Sequence, residues 1–185
     1  LAALALLIAA AFAFYIGSQP RLPAPFGLAA NGLVVYAKDG DIYTVNPDTG
    51  ARQQIVAGPE KDSDPRFSLD GTRLVFMRGD GTSSVPVIAD ADGSDLLIAK
   101  TDPIRGIDSE NILWSPDGRS IALHVDVDGD DGGSPASVFL VDANDGTVRK
   151  LDVFNANGDL YWRPPDGRQV MFFEGTESAG RLSLV

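Results

Sequence analysis

The stretch WSPDGRSIALH (114–124) decides the fold, because two related stretches occur in the same chain. They are FSLDGTRLVFM (67–77) and PPDGRQVMFF (164–173). Their turn aspartates are Asp70, Asp117 and Asp166, which lie 47 and then 49 residues apart. A nearly fixed period of about 20 to 50 residues is typical of proteins built from one repeated unit. The chain is therefore predicted to be a repeat protein.

Each copy predicts a β-hairpin, since an aromatic-containing run precedes the turn and an apolar run follows it. In the turn, Pro116 presets φ and Gly118 can adopt a positive φ. A second hairpin follows in each repeat, at GDIYTVNPDTG (40–50), VPVIADADGSD (85–95) and SVFLVDANDGT (137–147). Its Asx-Gly turns need no metal to explain them. Each repeat thus contains four short strands.

A single sheet of four strands cannot bury both of its apolar faces, whereas sheets stacked around an axis can. The predicted fold is therefore all-β, a β-propeller of four-stranded antiparallel blades. We count three strands of one blade (32–57), two full blades (about 65–100 and 112–151) and the first strands of another (160–185). This makes about three to three and a half blades, and we expect the natural protein to continue past Val185.

The first 17 residues, LAALALLIAAAFAFYIG, contain no charged side chain. Their length is at the short edge of what crosses a bilayer. We predict a transmembrane helix or signal anchor at 1–17, a Pro-rich linker at 18–31 and an incomplete β-propeller at 32–185. A cleavable secretory signal, cut near Ala11-Phe12-Ala13, is the alternative. Both place the propeller on the extracytoplasmic side of the cell membrane. The chain begins with Leu, so we expect it to be part of a longer protein.

The composition excludes several classes of function. The chain has no cysteine, which excludes disulfides and thiolate metal sites. Its formal net charge is -11 and its isoelectric point is near 4.3. Because nucleic acids and anionic membrane faces require a basic surface, neither is expected as a partner. Cations, peptides and proteins remain open.

The repeated pattern of aromatic, Ser, any residue, Asp and Gly, followed by an apolar strand, resembles the TolB-like (WD-related) β-propeller repeat. The resemblance covers about 32–185, and with the apolar start it is similar to bacterial membrane proteins that carry such a propeller outside the cell. It implies a rigid platform for a protein or peptide. Two departures are evident: Leu69 replaces the usual Pro, and one extra residue precedes Asp166 in WRPPD.

No catalytic motif occurs in the chain. A serine hydrolase of the dipeptidyl-peptidase kind needs a Gly-x-Ser-x-Gly elbow, and no segment matches it. His124, the sole histidine, lies in a predicted strand and is interpreted as structural. DVDGDDGG (126–133) begins like a calcium loop but then departs from that pattern, so it is interpreted as a solvated hairpin loop. We predict no enzyme activity, no metal and no cofactor.

Acidic and amide residues recur where the chain leads into the innermost strand of each blade, which lies beside the central channel. They are Asp62, Asp64, Asp108, Glu110, Asn111, Asn155, Asn157 and Asp159. If they converge, they form an acidic channel mouth that attracts a cation or a basic peptide. The alternative interpretation is that they are polar loops between blades.

The sequence therefore favours a membrane-tethered, non-catalytic platform for a protein or peptide, in envelope sensing or signalling. Two alternatives stay open. One is the propeller portion of a larger membrane-anchored serine hydrolase or peptidase, which a serine elbow beyond Val185 would reveal. The other is an envelope structural or cation-binding module, for which thermal stability would depend on ions.

Overall fold

A computed structural model of the 185-residue chain describes residues 31–105, 107–125, 137–152, 160–163, 167, 169–176 and 179–184. For 107–111, 152, 172–176 and 179–184 it describes the backbone alone. The predicted span at 1–17 lies outside these residues, as does all of the linker except Asn31. Within the described ranges no helix is long and apolar enough to cross a membrane. The described secondary structure consists of β-strands, as the repeat predicted.

The strands form four antiparallel sheets. The first sheet contains β1 (Val34–Lys38), β2 (Asp41–Val45) and β3 (Arg52–Val56). The second contains β4 (Asp62–Phe67), β5 (Arg73–Gly79), β6 (Ser83–Asp90) and β7 (Leu97–Ile98), and β8 (Ile104–Arg105) pairs with the start of β6.

The third and fourth sheets continue the series. The third contains β9 (Ile107–Trp114), β10 (Ser120–Val125), β11 (Ser137–Asp142) and β12 (Val148–Asp152). The fourth contains β13 (Tyr161–Trp162), β14 (Val170–Thr176) and β15 (Ala179–Leu184). Apart from the short β8, the four sheets therefore contain three, four, four and three strands, as the repeat predicted.

The predicted starts of two strands were wrong. The first strand of the second sheet begins at Asp62 rather than near Pro65, and that of the third begins at Ile107 rather than near Ile112. In the second sheet the polar residues Asp62 and Ser63 are paired with Arg78 and Met77 of β5. In the third sheet Ile107 is paired with Val125, and the polar residues 108–111 form a bulge between this pair and the next. Each strand therefore extends past a β-bulge.

Each sheet packs face to face against the next. Successive residues of an inner strand therefore contact different sheets, one on each side. In β5, Leu74 and Phe76 belong to the core shared with the first sheet, whereas Val75 and Met77 belong to the core shared with the third. This explains why four consecutive residues of β5 are fully buried. A strand covered on both faces reads as a continuous apolar run rather than an alternating one.

Antiparallel hairpins place the loops at two opposite ends of the sheets. One end, which we call the turn end, carries the turns 68–72 and 115–119 after the first strands, together with the turns 46–51, 91–96 and 143–147. The other end carries the turns 39–40 and 80–82 and the starts of β4 and β9. We call it the bulge end, because β4 and β9 each contain a β-bulge near this end.

The turns that follow β4 and β9 have the same hydrogen bonds. Ser68 Oγ donates to the Asp70 carboxylate (2.6 Å) and accepts from the Arg73 N–H (3.0 Å). Ser115 Oγ donates to Asp117 (2.7 Å) and accepts from the Ser120 N–H (2.9 Å). The glycine that closes each turn has a φ of 69°, a left-handed conformation that favours glycine. The repeated motif is thus a self-satisfied turn.

The fourth sheet has one extra residue before Asp166, and the hydrogen bond that spans this segment differs from its counterpart. The Gly167 N–H bonds to the Arg163 carbonyl four residues back (3.2 Å). In the second sheet the Gly71 N–H reaches the Ser68 carbonyl three residues back (2.9 Å). The bond in the fourth sheet therefore spans one residue more.

Tryptophans connect successive sheets. The Trp114 indole N–H donates to the Arg66 carbonyl (3.0 Å), and the Trp162 indole N–H donates to the Leu113 carbonyl (3.0 Å). Each acceptor lies one residue before the aromatic position of the preceding sheet. These bonds set the position of one sheet against the next at the same point of the repeat.

Candidate functional site

The first strands of the second and third sheets both contain a β-bulge. In β4, Ser63 lies opposite Met77 and Arg66 opposite Val75, so two residues face Phe76 alone. In β9, Ile107 lies opposite Val125 and Ile112 opposite Leu123, which leaves residues 108–111 facing a single residue. Bulges bend a strand and redirect its side chains, and they are frequent beside functional sites.

The two bulged strands are neighbours. β4 and β9 contact each other, and the bond between the Trp114 indole and the Arg66 carbonyl fixes their relative position. Both bulges lie toward the end opposite the Ser-x-Asp-Gly turns. In the described part of the chain, the bulge end is therefore where two adjoining sheets each have a bulged first strand.

Asp64 lies in the first of these bulges and has a φ of 53°. A left-handed conformation is uncommon for a residue other than glycine, although Asp adopts it more readily than most. Here it also precedes Pro65, whose ring restricts the backbone of the residue before it. The Ser63 hydroxyl donates to the Asp64 carboxylate (2.7 Å). The bulge is thus a strained segment with a hydrogen-bonded acidic side chain.

Asp62 forms a buried, two-bond ion pair with Arg78 at the bulge end. Arg78 donates from Nε (2.7 Å) and from a terminal nitrogen (2.8 Å) to the two oxygens of the Asp62 carboxylate. Asp62 is 4% exposed, and the Arg78 guanidinium also lies 5.5 Å from the centre of the Phe76 ring. The hydrogen bond with Asp62 raises the pKa of Arg78 above its usual value. The pair holds the start of β4 against the end of β5.

An open depression of about 290 Å³ lies next to this pair. Its lining residues come from the loop before β4 and from the end of β5: Pro59, Glu60, Lys61, Arg78, Gly79 and Asp80. The backbone N–H groups of Ser83 and Thr82 donate to the Asp80 carboxylate. These bonds, that from Ser83 most of all, lower the pKa of Asp80. The depression therefore presents both signs of charge at the surface.

The eight residues predicted for an acidic channel mouth have different placements. Asp62 is buried and paired with Arg78, and Asp64 lies in the β4 bulge. Asp108, Glu110 and Asn111 occupy the β9 bulge segment, of which the backbone alone is described. The other three, Asn155, Asn157 and Asp159, lie outside the described residues. The convergence of all eight at one mouth stays a prediction.

The structure also places the residues considered for chemistry. His124 is 5% exposed and lies in the middle of the third sheet, opposite Val138 of β11. The suspected calcium loop at 126–133 lies outside the described residues. Among those that are described, no three His, Cys, Asp or Glu side chains are grouped to hold a metal ion. Asp92 and Asp142 accept N–H bonds from residues two positions on, as predicted for Asx turns.

Sequence reasoning missed Arg78, although a signal for it exists. Asp62 and Arg78 stand eight residues either side of the turn aspartate Asp70, and antiparallel pairing brings such positions together. Opposite charges at equal distances from a hairpin turn predict a cross-strand pair. The register at the turn, with Phe67 opposite Leu74, would instead place Arg78 opposite Ser63, and the β4 bulge shifts it by one residue so that Asp62 faces Arg78. The sequence therefore indicates a cross-strand pair near this position, but the partner follows only from the bulge.

No family model and no curated protein matches the chain. Solved structures do match it. A protein described as a dipeptidyl aminopeptidase IV from Bacteroides ovatus is 15% identical, with a TM-score of 0.61 over 86% of this chain and 29% of that one. A protein described as TolB from Agrobacterium tumefaciens is 17% identical, with a TM-score of 0.59 over 86% and 56%. An acylaminoacyl peptidase is 14% identical, with a TM-score of 0.56 over 84% and 31%.

At these identities the likeness concerns the fold alone, and it supports a TolB-like β-propeller. The chain spans less than two thirds of each of these neighbours, from 29% of the aminopeptidase to 56% of the TolB protein. The peptidases' activities therefore do not transfer to this chain with the fold.

Proposed function

We propose that this chain is the propeller part of a membrane-tethered, extracytoplasmic protein that binds a protein or peptide at the bulge end and performs no chemistry there. The observation that carries the proposal is the pair of bulges in the adjoining strands β4 and β9. Functional sites concentrate where a rigid scaffold presents irregular backbone. The two- and four-residue bulges on a regular stack of sheets fit that description.

The charge of the bulge end indicates the kind of segment it binds. Three acidic positions, Asp64, Asp108 and Glu110, fall within the two bulges. Since the whole chain carries a net charge of -11, its field attracts cationic partners and repels anionic ones. The proposed ligand is therefore a basic peptide segment, either free or within a protein.

The test is titration of the full chain with an oligolysine peptide at low ionic strength. A variant with Asp64→Asn, Asp108→Asn and Glu110→Gln should bind about tenfold more weakly, a loss of roughly 1.4 kcal/mol. The matched control removes the same charge at the turn end, with Asp48→Asn, Asp92→Asn and Asp145→Asn. All three control side chains are exposed. Equal weakening by both variants would mean attraction to net charge alone, and the proposed site would be abandoned.

A second candidate is the propeller portion of a larger membrane-anchored serine peptidase. It is favoured by the likeness to the dipeptidyl aminopeptidase and the acylaminoacyl peptidase. The natural full-length protein should be treated with a fluorophosphonate probe, which labels activated serines. Labelling would establish the peptidase and replace the binding platform as the main function, whereas absence of labelling on folded protein supports the platform.

The membrane tether is proposed from the uncharged run at 1–17. Fractionation of expressing cells should recover the full-length protein with membranes, in a form that alkaline carbonate does not extract. Protease added outside the intact inner membrane should digest the propeller. Recovery in the soluble fraction as a shortened chain would indicate the cleaved signal instead.

A further inference from the structure

The bulge of β4 contains a peptide bond of a particular chemical kind, the one between Asp64 and Pro65. The paired positions of β4 stop at Ser63 and resume at Arg66, so both residues of this bond lie in the bulge. Asp64 and Pro65 are half-buried, and Ser63 and Arg66 on either side are exposed. Water can therefore reach the bond, and breaking it removes no residue pair from the sheet.

The backbone of Asp64 is strained at this bond. Its φ is 53°, in the left-handed region that few residues other than glycine adopt. The ring of Pro65 further restricts the backbone of the residue before it. Residues held in such conformations cost free energy, and they cluster at sites where the strain is part of a mechanism. Cleavage between Asp64 and Pro65 removes the restriction that the proline imposes.

The side chain of Asp64 supplies a group that can react with this bond. The Ser63 hydroxyl donates to one of its oxygens (2.7 Å), which keeps the carboxyl group beside the backbone of the bulge. A bond from a side-chain oxygen of an aspartate to its own carbonyl carbon closes a five-membered ring. The nitrogen of Pro65 belongs to a tertiary amide. It is more basic than an ordinary peptide nitrogen and therefore leaves more readily.

From these observations we propose that the chain cleaves its own backbone between Asp64 and Pro65. An oxygen of the protonated Asp64 carboxyl group bonds to the Asp64 carbonyl carbon, while the bond from that carbon to the Pro65 nitrogen breaks. The carboxyl proton passes to this nitrogen, which becomes the amino terminus of the second piece. Water then opens the cyclic anhydride, and Asp64 becomes the carboxyl terminus of the first piece. The reaction involves no ligand and is independent of the proposed binding.

The two pieces, 1–64 and 65–185, should remain associated after the cut. Before the cut site, Asp62 is held by its ion pair with Arg78. After the cut site, the Arg66 carbonyl accepts the indole N–H of Trp114. The cleaved protein should therefore elute as one species in native size-exclusion chromatography and separate into two pieces in denaturant.

The bond between Asp102 and Pro103 is the other Asp–Pro bond of the sequence and provides a matched control. Both of its residues are exposed, and Asp102 does not have a positive φ. The Thr101 hydroxyl donates to the Asp102 carbonyl (3.1 Å). Because such a bond polarises the carbonyl, its effect would favour cleavage of the control bond. Faster cleavage at Asp64 is therefore attributable to the bulge.

Mass spectrometry of the full chain, incubated folded in mildly acidic buffer and then denatured, measures both bonds in one sample. In the folded chain the bond after Asp64 should break about tenfold faster than the bond after Asp102, since release of strain of this kind lowers a barrier by that order. In urea the strain is absent, and the two rates should be similar. The proposal is overturned if the bond after Asp64 breaks no faster than the control in the folded chain, or if urea leaves the ratio unchanged.

The variant Asp64→Asn separates self-cleavage from cleavage by a contaminating protease. Asn tolerates the positive φ and leaves Pro65 in place, but it has no carboxyl group to attack the carbonyl carbon. Cleavage after position 64 should therefore be lost, while cleavage after Asp102 continues and shows that the conditions are effective. Cleavage of this variant after position 64 at the unaltered rate would assign the cut to a protease and would also overturn the proposal.

Discussion

The two ends of the sheets are built differently. At the turn end, Ser68 with Asp70 and Ser115 with Asp117 form the same hydrogen bonds to within about 0.1 Å. At the bulge end, the second sheet has a two-residue bulge and an ion pair, whereas the third has a four-residue bulge. The hydrogen bonds of the turn end are thus repeated from sheet to sheet, whereas those of the bulge end, where we propose the ligand binds, are not.

The largest effect is expected for Trp114→Ala, which removes the indole that joins β9 to β4. Trp114 is 8% exposed and belongs to the core between the second and third sheets. Truncation of a buried aromatic residue costs about 3 to 5 kcal/mol in the free energy of unfolding. Chemical denaturation of the full chain measures it, and Trp114→Phe is the control. Phe retains most of the packing and loses the bond to the Arg66 carbonyl, so about 1 kcal/mol is expected.

A cost below about 1 kcal/mol for Trp114→Ala would mean that the second and third sheets do not share this core. The loops at the two ends would then not belong to one stack of sheets.

At the bulge end, Asp62→Asn should destabilise the chain by about 2 to 3 kcal/mol, since it leaves the Arg78 guanidinium without its buried counter-charge. The Arg78 side chain is 18% exposed, so solvent offsets part of the loss. Asp64→Asn is the matched control, because Asp64 is bonded locally by Ser63 and Asn tolerates its positive φ. It should change the stability by less than about 0.5 kcal/mol.

Thermal or urea denaturation distinguishes the two outcomes. If the Asp64 variant proved as unstable as the Asp62 variant, the strained bulge itself would be part of the framework. The bulge end would then be structural in the same sense as the turn end.

A third prediction compares the two turns by exchanging the residue that precedes the turn aspartate in each. Leu69 is 53% exposed and occupies the place of Pro116. Leu69→Pro should stabilise the chain by about 0.4 to 1 kcal/mol, because proline restricts the unfolded chain and its φ fits this turn position. Pro116→Leu should have the opposite sign and a similar size. Changes of the same sign in both variants would show that the two turns are not equivalent.

The smallest effect concerns pH. The Ser68 hydroxyl is the main cause that lowers the pKa of Asp70. Burial raises the pKa of Asp117, but the hydrogen bonds from the Ser115 hydroxyl and the Arg119 N–H lower it by more, so the pKa is below its usual value. Because these pKa values are lower in the folded than in the unfolded chain, the stability they contribute is present above the usual Asp pKa. It is lost as the pH falls through the folded values.

Stability measured against pH in the acid range should therefore fall less steeply in the double variant Asp70→Asn and Asp117→Asn than in the unaltered chain. An unchanged slope in the double variant would show that the two turns do not favour the ionised carboxylates.

The sequence predicts the turn end well and the bulge end poorly, for physical reasons. The turn around Asp117 is local: Ser115, Pro116 and Gly118 determine it within a few residues, so its period also reveals the sheets. The bulges depend on pairing with β5 and β10. Asp64 and Asp108 therefore resembled loop residues until the partner strands were known. The Asp62–Arg78 pair belongs with the bulges, because the register set at the turn would place Arg78 opposite Ser63 and the β4 bulge shifts it to Asp62.

Hydrogen exchange of the full chain, with and without the oligolysine peptide, tests most directly whether the two ends have different roles. The account predicts slower exchange at 63–66 and 107–112 when the peptide is bound, with no change at the turns 68–72 and 115–119. Protection at those turns, or equal protection at both ends, would contradict the assignment of binding to the bulge end.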